Sequence, residues 1–252
     1  MEAAIREFAG LLRNARRILF ITGAGISADS GLPTYRGVGG LYEDGLTVEG
    51  LSIEEALSGP MFRARPDLTW KYLAQIERAC RGALPNAAHL GIAALESGRE
   101  QVAVLTQNVD GLHEAAGSRD VIEIHGNLRH LQCTRCGTTQ QVEDYAALTI
   151  PPACGRCGGM VRPQVVLFGE SLPGSALRRL RDALQAGPDL VCTIGTSSVF
   201  PYIVEPVWWA RQVGIPTVEI NPGESEVSAV VQLRLPMGAA EAFTRLADYG
   251  WV

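Results

Sequence analysis

Lysine is almost missing from this sequence: Lys71 is the only one among 22 basic residues in 252, a compositional bias to which no function attaches. There is no excess of positive charge either. The formal net charge is -5 and the sequence pI about 5.5, so the electrostatic footprint of a protein that neutralises nucleic-acid phosphates is lacking. No apolar run approaches the roughly 20 residues that span a bilayer. Residues Met1 to Arg17 alternate apolar and charged side chains, with Glu2 and Glu7 among them, and lack the unbroken apolar core of a signal peptide. A soluble, cytoplasmic protein with no nucleic-acid or membrane partner is expected, and a monomer. Internal repeats, low-complexity tracts and an interdomain linker are also missing.

Of six cysteines, four form Cys133-x-x-Cys136 and Cys154-x-x-Cys157, with residues 137–153 between the pairs, while Cys80 and Cys192 stand alone. A secreted disulfide framework is the poorer reading for a chain of this length without an export signal. Two matched pairs at this spacing, with Gly137, Gly155 and Gly158 for the tight turns, suit a four-thiolate zinc ribbon. Four thiolates leave no open coordination position, so one zinc ion there is structural. A redox dithiol is the alternative, although it needs only one pair.

Short β-branched runs recur, each ended by a Gly, Asn, Gln or His. They are Ile18 to Thr22, Val102 to Thr106, Val121 to Ile124, Gln164 to Phe168, Leu190 to Ile194 and Thr217 to Ile220. Six such runs with helical stretches between several of them predict an α/β fold, a doubly wound parallel sheet whose ligands bind beyond the carboxyl ends of the strands. Two segments break the rhythm. Residues 38–81 hold helical patterns, among them Ser52 to Glu55 spaced as a capping box, and residues 128–162 hold the cysteine pairs.

Gly23-x-Gly25-x-x-Ala28 follows the first run as a dinucleotide fingerprint does, although an ordinary tight strand-to-helix turn reads the same way. A dehydrogenase also needs an acidic residue ending a second strand roughly 20 residues on. Glu43 and Asp44 have the spacing but follow Gly37-Val38-Gly39-Gly40 and no strand, which counts against hydride transfer. His125, at a predicted strand end, is either a general base or a histidine hydrogen-bonded at a sheet edge. His113 is expected to pack or cap, and His89 and His130 to be structural. Gln107-Asn108-Val109-Asp110 places two amides and a carboxylate where they could grip a carboxamide or form a solvated turn. Asn221 could bond ribose hydroxyls or start the turn of Pro222-Gly223, and Trp208 and Trp209 suit a core or interface face.

Taken in order, Gly23 to Ser27, Gly31 to Gly37, Thr106 to His113, His125-Gly126, both cysteine pairs, Arg162-Pro163, Phe168-Gly169-Glu170, Gly195-Thr196-Ser197 and Asn221 resemble the sirtuins, NAD-dependent protein-lysine deacylases. The resemblance covers nearly the whole chain and is strongest to bacterial members. It implies a Rossmann-like NAD-binding domain of residues 1–37, 82–127 and 163–252, with a small domain made of a helical module, 38–81, and a zinc-ribbon module, 128–162. It implies contacts to NAD from Gly23, Ala24, Gly25, Ser27, Asp29, Pro33, Tyr35 and Arg36, and from Gln107, Asn108, Val109 and Asp110. Asn108 and Asp110 would hold the carboxamide and count with His125 as catalytic. Gly195, Thr196, Ser197, Asn221, Pro222 and Ala239 would hold the adenosine half. Val165, Val166, Leu167, Phe168, Gly169 and Glu170 would receive the acyl-lysine peptide as an added strand.

The chemistry implied is attack of the acyl-lysine amide oxygen on the ribose carbon as nicotinamide leaves. His125 then takes a proton from a ribose hydroxyl, giving free lysine and an O-acyl-ADP-ribose. Closure of the loop around Tyr35 and Arg36 would exclude water. Two departures matter: Tyr35 stands where the family usually has Phe, and Leu73 and Ile76 stand where members that remove succinyl or malonyl groups carry Tyr and Arg. An apolar lining favours acetyl or longer uncharged acyl groups, unless Arg78 reaches the site and binds an acidic one. The alternatives are a protein ADP-ribosyltransferase and a non-enzymatic NAD-binding zinc-ribbon sensor.

Overall fold

The computed structural model describes residues 1–33 and 46–251. Helix α1 (Glu2–Asn14) turns Ile5, Phe8, Ala9 and Leu12 inward at helical spacing and leads into strand β1 (Arg17–Thr22). The chain then tightens into a 3-10 turn, Ala24–Ser30. Helices α2 (Ile53–Ala56), α3 (Gly59–Ala64) and α4 (Pro66–Cys80) follow. Ser52 and Glu55 form the expected capping box, Ser58 caps α3, and prolines open α3 and α4. Next come α5 (Ala87–Leu95), β2 (Gln101–Thr106), the short α6 (Leu112–Ala115), β3 (Val121–Glu123), β4 (Gly126–Cys133), β5 (Thr139–Gln141) and β6 (Val161–Val165). The remainder is α7 (Gly174–Gln185), β7 (Leu190–Ile194), α8 (Pro201–Gln212), β8 (Thr217–Ile220), β9 (Leu233–Leu235) and α9 (Ala239–Leu246).

Six strands pair in parallel in the order β3-β2-β1-β7-β8-β9. Side chains alternate across this sheet. Ile18 and Phe20 share a core with α1, α5 and α9, whereas Leu19 and Ile21 share another with α7 and α8. Helices on both faces make the sheet doubly wound, as expected, and its strand order reverses between β1 and β7. A crevice opens at such a reversal. Trp209 packs against the second of these cores, while Trp208 is exposed. Among the described residues no helix is long and apolar enough to cross a membrane.

The run Gln164 to Phe168 is not a member of the parallel sheet. Val161–Val165 pairs antiparallel with β4 in a separate three-stranded sheet, β5-β4-β6. The sixth parallel strand is instead Leu233-Arg234-Leu235, which pairs with Val218 to Ile220 and has no β-branched side chain to mark it. The small sheet and α4 share a third core, in which Trp70, Leu73 and Ile76 meet Leu128, Leu131, Val161 and Leu167. Trp70 Nε1 donates to the Val161 carbonyl at 3.0 Å and the Tyr145 hydroxyl to the Leu128 carbonyl at 2.6 Å, so the helices after Ser52 and the cysteine-bearing segment have one interior.

Candidate active site

The ends of β1 and β7 are strapped together by backbone. The Gly25 amide donates to the Gly195 carbonyl at 2.8 Å and the Gly23 amide to the Ile194 carbonyl at 3.1 Å. A Cβ on Gly25 would lie 2.6 Å from the Gly195 Cα, so no larger residue fits without moving one strand end. Thr196, the next residue, accepts from Gln107 Nε2 at 2.8 Å and from the Ser198 amide at 3.1 Å, and the Asn221 side chain donates to its carbonyl at 3.1 Å. The Glu226 amide donates to the Ser197 carbonyl at 3.2 Å. The loops after β1, β2, β7 and β8 thus form one hydrogen-bonded cluster.

Gln107 also reaches the histidine. Its carbonyl lies 3.0 Å from His125 Nδ1, and His125 Nε2 lies 2.7 Å from the Tyr202 hydroxyl. A carbonyl can only accept, so Nδ1 carries the proton and Nε2 is the basic nitrogen. Burial lowers the pKa of the ring, and the bond to Gln107 opposes that only in part. Gly126 fixes where the chain leaves His125: its φ is +81°, and a Cβ there would meet the Gln164 carbonyl oxygen at 1.7 Å.

Asn108, buried, donates from Nδ2 to the Gly23 carbonyl and to Ser27 Oγ, each at 3.1 Å. Both Nδ2 protons are spent, which leaves Oδ1 as an acceptor. Asp110 accepts from Ser27 Oγ at 2.8 Å and from the Leu112 amide at 2.9 Å, while burial raises its pKa. Asn108, Val109 and Asp110 line a cleft with Ala24, Ser27, Leu32 and Pro33 on one side and Ile76, Ala79 and Cys80 of α4 on the other. Burial pushes the Cys80 thiol up to about 12, which keeps it protonated.

Other expected contacts are already partnered. Leu73 lies in the third core and does not line this cleft, and Arg78 is exposed. Asp29 accepts from the Ala240 amide at 3.0 Å and so ties the 3-10 turn to the start of α9, where Ala239 is buried. Both backbone groups of Phe168 are engaged, its amide with Leu57 and its carbonyl with Gly59, each at 3.0 Å, although its ring is exposed. The Val166 amide donates to the His125 carbonyl at 2.9 Å. Glu170 braces this stretch: against the cost of burial, the Arg162 fork at 2.7 and 2.9 Å and the Leu167 amide hold its pKa low. Tyr35 and Arg36 lie outside the described residues. Phe200 and Tyr202, which surround His125, were given no role by the sequence, and no spacing or motif marks them.

The four cysteines converge as expected. Their sulfurs all lie within 4.8 Å of one another, with Cys133 and Cys157 at 3.5 Å and Cys136 and Cys154 at 3.8 Å. Tetrahedral zinc with bonds of about 2.3 Å requires sulfurs about 3.8 Å apart. The donor set therefore fits one structural zinc. The hydroxyl and amide of Thr138 lower the Cys136 thiol to about 6, toward the thiolate a metal requires.

The sequence profile of the Sir2 family matches residues 23–201. The chain belongs to the Sir2 family. It is 49% identical to the NAD-dependent protein deacylase 2 of Pseudomonas aeruginosa strain PAO1, covering 97% of this chain and 96% of that one. To the NAD-dependent protein deacylase 2 of Pseudomonas syringae pv. tomato it is 51% identical, covering 96% and 99%. Among solved structures, a Sir2–p53 peptide–NAD+ complex superposes with a TM-score of 0.84 at 32% identity, covering 98% of each chain. The Sir2 profile takes in the strapped strand ends, His125 and all four cysteines.

Proposed function

We propose that this protein is an NAD-dependent protein-lysine deacylase. It would act on acyl-lysine proteins or peptides, as a cytoplasmic monomer, and prefer acetyl or longer apolar acyl groups to succinyl or malonyl. Support comes from curated relatives of that activity at about half identity over nearly the whole chain, and from the superposed complex with peptide and NAD+. One observation carries the reading to this chain: Gln107 binds the histidine through its carbonyl and the β7 loop through its side chain, so base and dinucleotide loops belong to one site.

NAD, consumed as a second substrate, supplies the ribose carbon that accepts the acyl group. The residues suit it. Asn108 Oδ1 and the remaining lone pairs of Asp110 offer two acceptors to the NH2 of a carboxamide, and the turn that begins at Ala24, held in place by the Gly23, Gly25 and Gly195 strap, would receive the pyrophosphate. His125, with Nδ1 fixed on Gln107, presents Nε2 to take the proton of a ribose hydroxyl. Thr196, Ser197, Asn221, Pro222 and Ala239 would serve the adenosine half. Val165 to Glu170 would receive the peptide, with the Val166 carbonyl and the backbone of Gly169 supplying groups in place of those that Phe168 has committed to Leu57 and Gly59, the Val166 amide being taken by His125. Residues 1–37, 82–127 and 163–252 would form the NAD-binding domain, and 38–81 with 128–162 the small domain.

Incubation with an acetyl-lysine peptide and NAD should release nicotinamide in step with free lysine. His125→Ala should abolish deacylation and leave NAD binding intact; full activity in that variant removes His125 from the mechanism. ADP-ribose attached to protein without deacylation would favour a transferase, and tight NAD binding without turnover a sensor.

A further inference from the structure

Tyr202 occupies the basic nitrogen of His125. It is the second residue of α8, and its ring stacks on Phe200 with centroids 5.4 Å apart and planes 10° apart. Both rings stand edge-on to His125, at 6.0 and 5.9 Å. The stack holds the phenol hydroxyl 2.7 Å from His125 Nε2. Because Gln107 keeps the ring proton on Nδ1, Nε2 has one lone pair, and the phenol donates into it. A second hydroxyl cannot donate to the same lone pair.

We propose that Tyr202 is a positioning residue that caps the basic nitrogen of His125 in the substrate-free protein and is displaced from it by the ribose hydroxyl. The proposal rests on the role assigned to His125. The cap has two consequences. It holds the imidazole plane in place without substrate, between a carbonyl on Nδ1 and a phenol on Nε2. It also favours the neutral ring, because a phenol is a stronger donor and a weaker acceptor than the water that would replace it. Burial pushes the phenol's own ionisation up to about 12, so it keeps its proton at neutral pH.

Among the described residues, His125 is met by Gln107 from the end of β2 and by Phe200 and Tyr202 from the start of α8, and Tyr202 is the titratable partner in that set. Glu123, two residues back, is pushed up to about 7 by burial, but its carboxylate accepts from Asn127 at 2.5 Å. It is present in wild type and variant alike, so its titration cancels in a comparison between them.

The test is Tyr202→Phe, which keeps the ring stack and removes the hydroxyl. NMR titration of His125 without substrate, with the signal assigned through His125→Asn among four histidines, should show its pKa rise by about 0.4 to 1 pH unit. In kinetics the acid limb of kcat/KM, which reports the free enzyme, should rise by the same amount. The acid limb of kcat, which reports the complex with the phenol already displaced, should stay in place. An unchanged or lowered His125 pKa overturns the proposal, as does an equal shift in both limbs, which would mean that the phenol stays on Nε2 during turnover. The NMR titration needs no turnover, so failure of the deacylase reading and failure of the cap are separately visible.

Discussion

Gly25 and Gly195 meet backbone to backbone where the strand order reverses, and neither can carry a side chain. Gly195 has φ +59°, and a Cβ built on it would lie 2.4 Å from the Gly25 carbonyl carbon. Gly195→Ala therefore combines a left-handed backbone penalty with a clash against main chain that cannot rotate away. A loss of about 2 to 4 kcal/mol in urea unfolding is expected. NAD affinity should fall by more than the unfolded fraction explains, because the displaced strand end carries Thr196 and Ser197. Wild-type stability with wild-type NAD binding would show that the strap matters to neither.

His89 and His113 form a buried pair, with ring centroids 4.9 Å apart. Burial lowers His89 to about 4; burial, then the charge of His89, lowers His113 to about 3. A depressed histidine favours the neutral form in the fold. Its stabilising effect is thus complete above the unfolded value near 6.5 and is lost as pH falls toward the folded one. Glu123 works in the opposite sense between about 4.5 and 7, because burial raises it. A difference measurement isolates one histidine. His89 accepts the Asn86 amide at the third position of the α5 capping box, a place that glutamine also fills, so His89→Gln keeps the cap and removes the titration. From pH 6.5 down to about 4, the variant should gain on wild type by about 1.4 kcal/mol per pH unit. A pH-independent difference would mean that His89 does not titrate with folding.

Much of this architecture can be read from the chain because its strands are fully buried β-branched runs cut off by polar residues, as Ile18 to Thr22 is by Gly23. Leu233–Leu235 escaped for want of that signal: it is three residues long, and its identity as a strand comes from pairing with β8. Gln164 to Phe168 carries the signal, yet its partner is β4, and only tertiary pairing decides between a parallel and an antiparallel neighbour. The cysteines were legible because a tetrahedral ion imposes a spacing. Tyr202 was not, since its place depends on where α8 begins relative to the end of β3.

Removal of one cysteine tests the zinc assignment directly. Cys154 is buried and its sulfur lies 3.8 Å from that of Cys136. Cys154 also belongs to the core that holds Trp70, so an empty site loosens more than the ribbon. Cys154→Ser should drop metal content from one zinc per chain to near none. Tm should fall by about 6 to 12 °C, corresponding to a loss of about 3 kcal/mol. A metal-free variant with wild-type Tm and full activity would contradict a structural role.

The proposed preference for apolar acyl groups would turn on Ile76. It lines the same cleft as Asn108 and Asp110, and α4 brings Ala79 and Cys80 beside it. Arg78 lies two residues farther along, about 200° around the helix, and is exposed, so it does not serve this cleft. Among the described lining residues none is cationic, and Asp110 is already disfavoured in its charged form by burial. A succinyl carboxylate entering there would be desolvated without a partner. Succinyl-lysine peptide should therefore react with a kcat/KM at least about 100-fold below that of acetyl-lysine peptide, a difference of about 2.7 kcal/mol. Long apolar acyl chains should stay within about tenfold of acetyl. In Ile76→Arg the new guanidinium would point into the cleft, and the succinyl-to-acetyl ratio should rise by at least about tenfold, provided Tm shows that the variant folds. Efficient succinyl removal by the wild type, in the same assay, would mean that a cation outside this lining grips the acyl carboxylate.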